Sequence, residues 1–173
     1  STVGTTAGAI SVVAGNDITV AGTIAGGAGD VTLSAGGSVD TVTAVETGAG
    51  NVSVSAVDDI TLAGETSTES GSVSFTAGGD LAVQAGIETT SGDVTLSADG
   101  SIATTASIGT ASGDVTVSAV DAVSVGGEIT TGSGTVSLNA GTDLLLTATI
   151  DSVSGDVALT AGGSIATSAA VLT

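Results

Sequence analysis

The sequence predicts an all-β fold, a parallel β-solenoid (a three-sided right-handed β-helix) built from about eight rungs of 21 residues each. Three observations predict it. Apolar residues recur at a strict spacing of 21, apolar and polar residues alternate with period two inside each repeat, and small turn-forming residues fall at the same places in every repeat.

Position 0 of the repeat is Ile10, Val31, Val52, Val73, Val94, Val115, Val136 and Val157, with no insertion or deletion between any two. Position 2 carries Val12, Leu33, Val54, Phe75, Leu96, Val117, Leu138 and Leu159, and position 4 is Ala in every rung, from Ala14 to Ala161. Ser and Thr dominate positions 1 and 3, so positions 0 to 4 read as a strand with one buried face. A Gly/Asp/Asn/Ser cluster at positions 5 to 7, such as Gly15-Asn16-Asp17, marks a turn. The next strand begins at position 8 (Ile18, Val39, Ile60, Leu81, Ile102, Val123, Leu144, Ile165) and is expected to turn positions 8, 10 and 12 inward. A third, shorter strand holds position 14 (Ile24, Val45, Thr66, Ile87, Ile108, Ile129, Ile150, Val171) and position 16. A Ser-Gly-Asp-like corner such as Ser91-Gly92-Asp93 closes the coil, with its glycine free to take positive φ.

Stacked at strand spacing of about 4.8 Å, eight such rungs make a rod of about 38 Å. One rung cannot bury its own apolar side, so stability has to come from its neighbours. The whole of residues 1–173 reads as one repeat array. Related phrases recur every third rung, as in Ala-Gly-Asn-Asp-Ile at 14–18 and Ala-Gly-Gly-Asp-Leu at 77–81, so the duplicated unit is three rungs and the chain is expected to be a segment of a longer array.

Composition excludes the alternatives. Gly, Ser, Thr and β-branched residues disfavour helix, and no i, i+3, i+4, i+7 stripe survives the glycine punctuation. A mean hydropathy of +0.60 and an ordered apolar pattern argue against disorder. No run approaches 18 apolar residues, so membrane insertion is not expected. The formal charge is −18 with no Lys, Arg or His, a surface that repels nucleic acid.

The same composition removes most chemistry. Without His or Lys there is no base for a nucleophilic triad, and without Cys or His the usual zinc sites are absent. Paired carboxylates, Asp58 beside Asp59 and Asp59 next to Asp80 on the following rung, are the remaining catalytic option. Unvarying rungs offer no long loops to build a substrate cleft around them, so no enzyme is expected. Calcium is the one cofactor the acidic turns admit, with Asp17, Asp58, Asp59, Asp80 and Asp143 as its candidate ligands, beside Asn16, Asp99 and Asp121. The bland reading is that these residues are solvated turns screened by diffuse cations.

The outward side of the first strand forms two ladders. Position 1 runs Ser11, Thr32, Ser53, Ser74, Thr95, Thr116, Ser137, Ala158, and position 3 runs Val13, Ser34, Ser55, Thr76, Ser97, Ser118, Asn139, Thr160. Lateral fibre packing, glycan attachment and ice binding are the functional readings of such a face, against a polar, β-favouring surface that keeps the rod soluble.

The phrase Gly-Asp-Val-Thr-Leu-Ser-Ala-(Gly/Asp)-Gly-Ser-(Ile/Val) at 29–39 and 92–102, with its variant at 155–165, resembles the repeats of filamentous-haemagglutinin-like, two-partner-secretion adhesins. The resemblance implies a right-handed β-helix shaft, export across a bacterial outer membrane through a partner pore, and work at the cell surface. The expected function is therefore a non-catalytic shaft of a secreted surface fibre or adhesin. It would self-associate or pack against neighbouring repeats, and contact glycans or cell surfaces. The alternative is a binding module for calcium, glycan or ice. Zero Lys and Arg leaves trypsin-like proteases no site, which suits an extracellular or cell-surface location.

Overall fold

The computed structural model describes residues 2–173 and is all-β, with no helix among them. Each rung contributes three strands, and each strand pairs in parallel with its equivalents in the rungs before and after. The first face holds eight five-residue strands, from Ile10–Ala14 to Val157–Ala161. The second face holds eight three-residue strands, from Ile18–Val20 to Ile165–Thr167. The third face holds nine, from Thr2–Gly4 to Val171–Leu172. The register is 21 throughout, with Val94 beside Val115 on the first face, Leu81 beside Ile102 on the second and Ile108 beside Ile129 on the third.

The interior is a set of continuous apolar columns. Positions 0 and 2 are fully enclosed through the middle of the rod, and Phe75 sits between Val54 and Leu96 with no exposed surface. At the first and last rungs the columns have a neighbour on one side only, so Val12 at position 2 and Ile165 at position 8 are exposed (36% and 47%) where their counterparts inside are buried. That difference is the nearest-neighbour stabilisation of a solenoid, seen in single residues.

Two details depart from the sequence reading. The second strand ends at position 10, and position 12 lies in a bend occupied by small residues such as Gly64, Ala85 and Gly127. Three residues already span that side, so the chain turns two residues sooner than alternation suggested. The corner glycines also differ. Gly27 alone has a positive φ, at 55°, while Gly92 and its equivalents adopt ordinary values. Their requirement is close approach between rungs. A Cβ on Gly92 would lie 1.9 Å from the carbonyl oxygen of Gly71 one rung below, and a Cβ on Gly113 would lie 2.0 Å from that of Gly92.

Candidate functional site

The acidic corner between the first and second faces holds all five candidate calcium ligands, and the fold gives four of them a structural task. Parallel stacking leaves the backbone N–H at position 7 without a strand partner. The N–H of Ser38 donates to Asp17 Oδ1 (2.9 Å), that of Asp80 to Asp59 Oδ1 (2.8 Å), that of Ser101 to Asp80 Oδ1 (2.7 Å) and that of Ser164 to Asp143 Oδ1 (2.7 Å). Each carboxylate thus caps the same position of the next rung with a charge-assisted hydrogen bond. Asp59 and Asp80 do come together on adjacent rungs, as their spacing implied. Asp58, one position earlier, is exposed and takes no part in this ladder through its side chain. Among the described residues no group of three or more acidic side chains is placed to hold a metal ion.

A second ladder of the same kind runs along the corner before the first face. The N–H of Asn51 donates to Asp30 Oδ1, that of Ser72 to Asn51 Oδ1 (both 2.8 Å), that of Asp93 to Ser72 Oγ (3.2 Å) and that of Asp114 to Asp93 Oδ1 (2.9 Å). Asp, Asn and Ser interchange here because each offers one acceptor oxygen at the required reach. Mixing them also separates like charges, which at about 4.8 Å repel by roughly 1 kcal/mol in water.

Sequence reasoning missed a third ladder, inside the rod. From the second rung to the seventh, position 16 is a buried Thr or Ser whose hydroxyl donates to the carbonyl three residues on. Thr89 Oγ1 donates to Gly92 O (2.5 Å), Thr110 to Gly113 (2.6 Å), Thr131 to Gly134 (2.8 Å) and Ser152 to Gly155 (2.8 Å). The signal was present as a recurring Thr-x-x-Gly. Three other buried hydroxyls, on Thr41, Thr66 and Thr104, have no hydrogen-bond partner.

The third face gathers several of the glutamates. A shallow groove of about 390 Å³ lies along it, lined by Glu46 and Glu69 with Ser67 and Gly48. Glu88, though exposed overall, lies over Gly109, where a Cβ would meet its Oε2 at 2.5 Å. Partial burial pushes the Glu88 carboxyl above its ordinary value, and the like charge of Glu65 adds to the shift.

The first face has the opposite character. Its outward Ser and Thr side chains are exposed or half-buried, and within it one side-chain hydrogen bond forms, from Ser55 Oγ to Ser34 Oγ (3.2 Å).

No curated protein and no solved structure matches the chain. The resemblance to filamentous-haemagglutinin-like adhesins rests on the repeat phrases alone, because the family model that matches, over residues 28–172, is a different one. That match covers most of the rungs, and the chain belongs to the Toastrack DUF4097 family.

Proposed function

We propose that the chain is a non-catalytic structural shaft of a secreted bacterial surface fibre or adhesin, and that it associates with its own kind into filaments or matrix. The observation that carries this reading is the unbroken register of 21 across all three sheets, with every rung the same length. Such a body serves as a spacer and a strut. Extending it along the chain requires breaking the inter-rung hydrogen bonds on three faces together with the aliphatic columns they enclose. Asp59 and Asp80, two of the three carboxylates that sequence offered for catalysis, are engaged in capping successive rungs, which supports a structural role for them. A chain without Lys or Arg gives trypsin-like proteases no cleavage site, which supports life outside the cell.

A second reading, a module that binds glycan or ice, draws on the solvent-facing hydroxyl ladders of the first face. Thermal-hysteresis and polysaccharide-pelleting assays address it. For the shaft itself, the decisive experiment is immunogold imaging of intact cells expressing the native protein. Thin rods or bundled fibres labelled on the outer surface are expected. Label confined to the cell interior, or compact globular particles, would overturn the proposal.

A further inference from the structure

None of the 18 carboxylates falls in any of the eight strands of the first face, although the chain carries no positive charge to offset them anywhere. The second face bears Asp40, and the third bears Glu46, Glu88 and Asp151. The first face is bordered on one side by the Asp17, Asp59, Asp80 and Asp143 ladder and on the other by Asp30, Asp93 and Asp114. It is a neutral plate, mostly of small hydroxyl side chains with Val13, Asn139 and Ala158 among them, framed by two acidic rims.

Building on the proposed self-association, we infer that this first face is the surface by which the rod pairs laterally with a second copy of itself. Three arguments select that occupant. Two molecules of charge −18 repel on approach, and this is the one face where no carboxylate meets its counterpart head-on. The ladders of two copies share one rung spacing, so their hydroxyls stay in step along the whole length. A lattice whose repeat differs by about 0.3 Å would slip by roughly half a rung over the same span, given a strand spacing of about 4.8 Å. The plate measures about 38 by 16 Å from strand spacing and rise, or about 600 Å² per copy. The pair then buries about 1,200 Å², the low end for a specific interface, so contact is weak for eight rungs and strengthens as the array lengthens.

The acidic rims set the sign of the salt response. Pairing brings rim against rim, so added salt screens the repulsion and favours association, opposite to an interface held by ion pairs.

The test is sedimentation equilibrium of the wild-type chain over a concentration series at low and high NaCl. It is run beside Ser53→Asp/Thr95→Asp on the first face, the neutral Ser53→Asn/Thr95→Asn, and Ala103→Asp/Ala166→Asp on the second face. The wild type is expected to rise towards twice its single-copy mass, at lower concentration in high salt. The first-face Asp pair should lose that rise, while the Asn pair and the second-face Asp pair keep it. Far-ultraviolet circular dichroism confirms that each variant is folded. If the first-face Asp pair associates as the wild type does, the inferred surface is wrong while self-association stands. If the wild type keeps single-copy mass under every condition, self-association itself fails. If it keeps that mass yet pellets with a polysaccharide or shows thermal hysteresis that the Asp pair abolishes, the face docks another partner and the second copy is wrong.

Discussion

Replacing Thr66 by Val should stabilise the rod, whereas the same replacement at Thr89 should destabilise it. Both threonines lie on the third face, in paired strands Thr66–Thr68 and Ile87–Thr89, and both are buried. Thr66 occupies a column otherwise filled by Ile and Val, between Val45 and Ile87, and its hydroxyl has no partner. A buried hydroxyl without a hydrogen bond costs about 1–3 kcal/mol, and Val is nearly its isostere. Thr66→Val is therefore worth about 1–2 kcal/mol of added stability. The Thr89 hydroxyl donates to Gly92 O at 2.5 Å, and its removal leaves a buried carbonyl without that donor. Thr89→Val should cost about 1–3 kcal/mol. Urea denaturation of the two variants beside the wild type reads the difference. Thermal melts should move in opposite directions, by roughly 2–4 °C per kcal/mol for a chain of this size. A Thr66→Val variant as destabilised as Thr89→Val would refute the assignment of which hydroxyl is satisfied.

Contacts between neighbouring rungs give three further expectations. Gly92→Ala places a methyl 1.9 Å from a backbone oxygen and should lower stability by about 3 kcal/mol or unfold the central rungs, read by urea denaturation. At the acidic corner, Asp80→Asn keeps an acceptor oxygen for the Ser101 N–H and should be near neutral, while Asp80→Ala should cost about 1 kcal/mol, and a melt in matched buffer distinguishes them. The folded state holds the Glu88 carboxyl above its ordinary 4.5, so the stability linked to its proton is present below that pH and is lost as pH rises through the raised value. Glu88→Gln should accordingly stabilise the protein at neutral pH relative to wild type and flatten the pH dependence of its melting temperature across that window.

Most of the architecture was legible because one rung cannot hide its mistakes. A column such as Val73, Val94, Val115 is buried in six successive rungs, and a one-residue slip would turn every member outward. What stayed hidden was backbone satisfaction. Ser, Asn and Asp at the corners look like generic turn residues, and nothing local reveals that Asp30, Asn51, Ser72 and Asp59 each serve an N–H 21 residues later. One trace of it does lie in the sequence. Where position 7 is Asp17, Asp59, Asp80 or Asp143, the residue 20 further on is Gly37, Gly79, Gly100 or Gly163, and a Cβ there would lie 2.2–2.5 Å from the carboxylate oxygen. Where position 7 is Ser38, Ser101 or Ala122, the residue 20 on is Asp58, Asp121 or Thr142. The corner glycines were misread for a related reason. Their conservation of size from rung to rung signals stacking against Gly O of the previous rung, and a single corner viewed alone suggests a turn conformation instead. The orphaned Thr41, Thr66 and Thr104 hydroxyls were unreadable, since threonine serves equally in satisfied and unsatisfied positions.

The fold requires residues 21 apart to lie one above another. Electron–electron double resonance between spin labels on the first face measures this directly, using Cys pairs introduced at Thr32/Thr95, Thr32/Ser137 and Ser11/Ala158 in a chain that has no cysteine of its own. The stacking predicts backbone separations of about 14, 24 and 34 Å, a straight line rising about 4.8 Å for every 21 residues. Separations that fail to grow with rung number, or that grow with a different residue period, would contradict the fold and the shaft built on it.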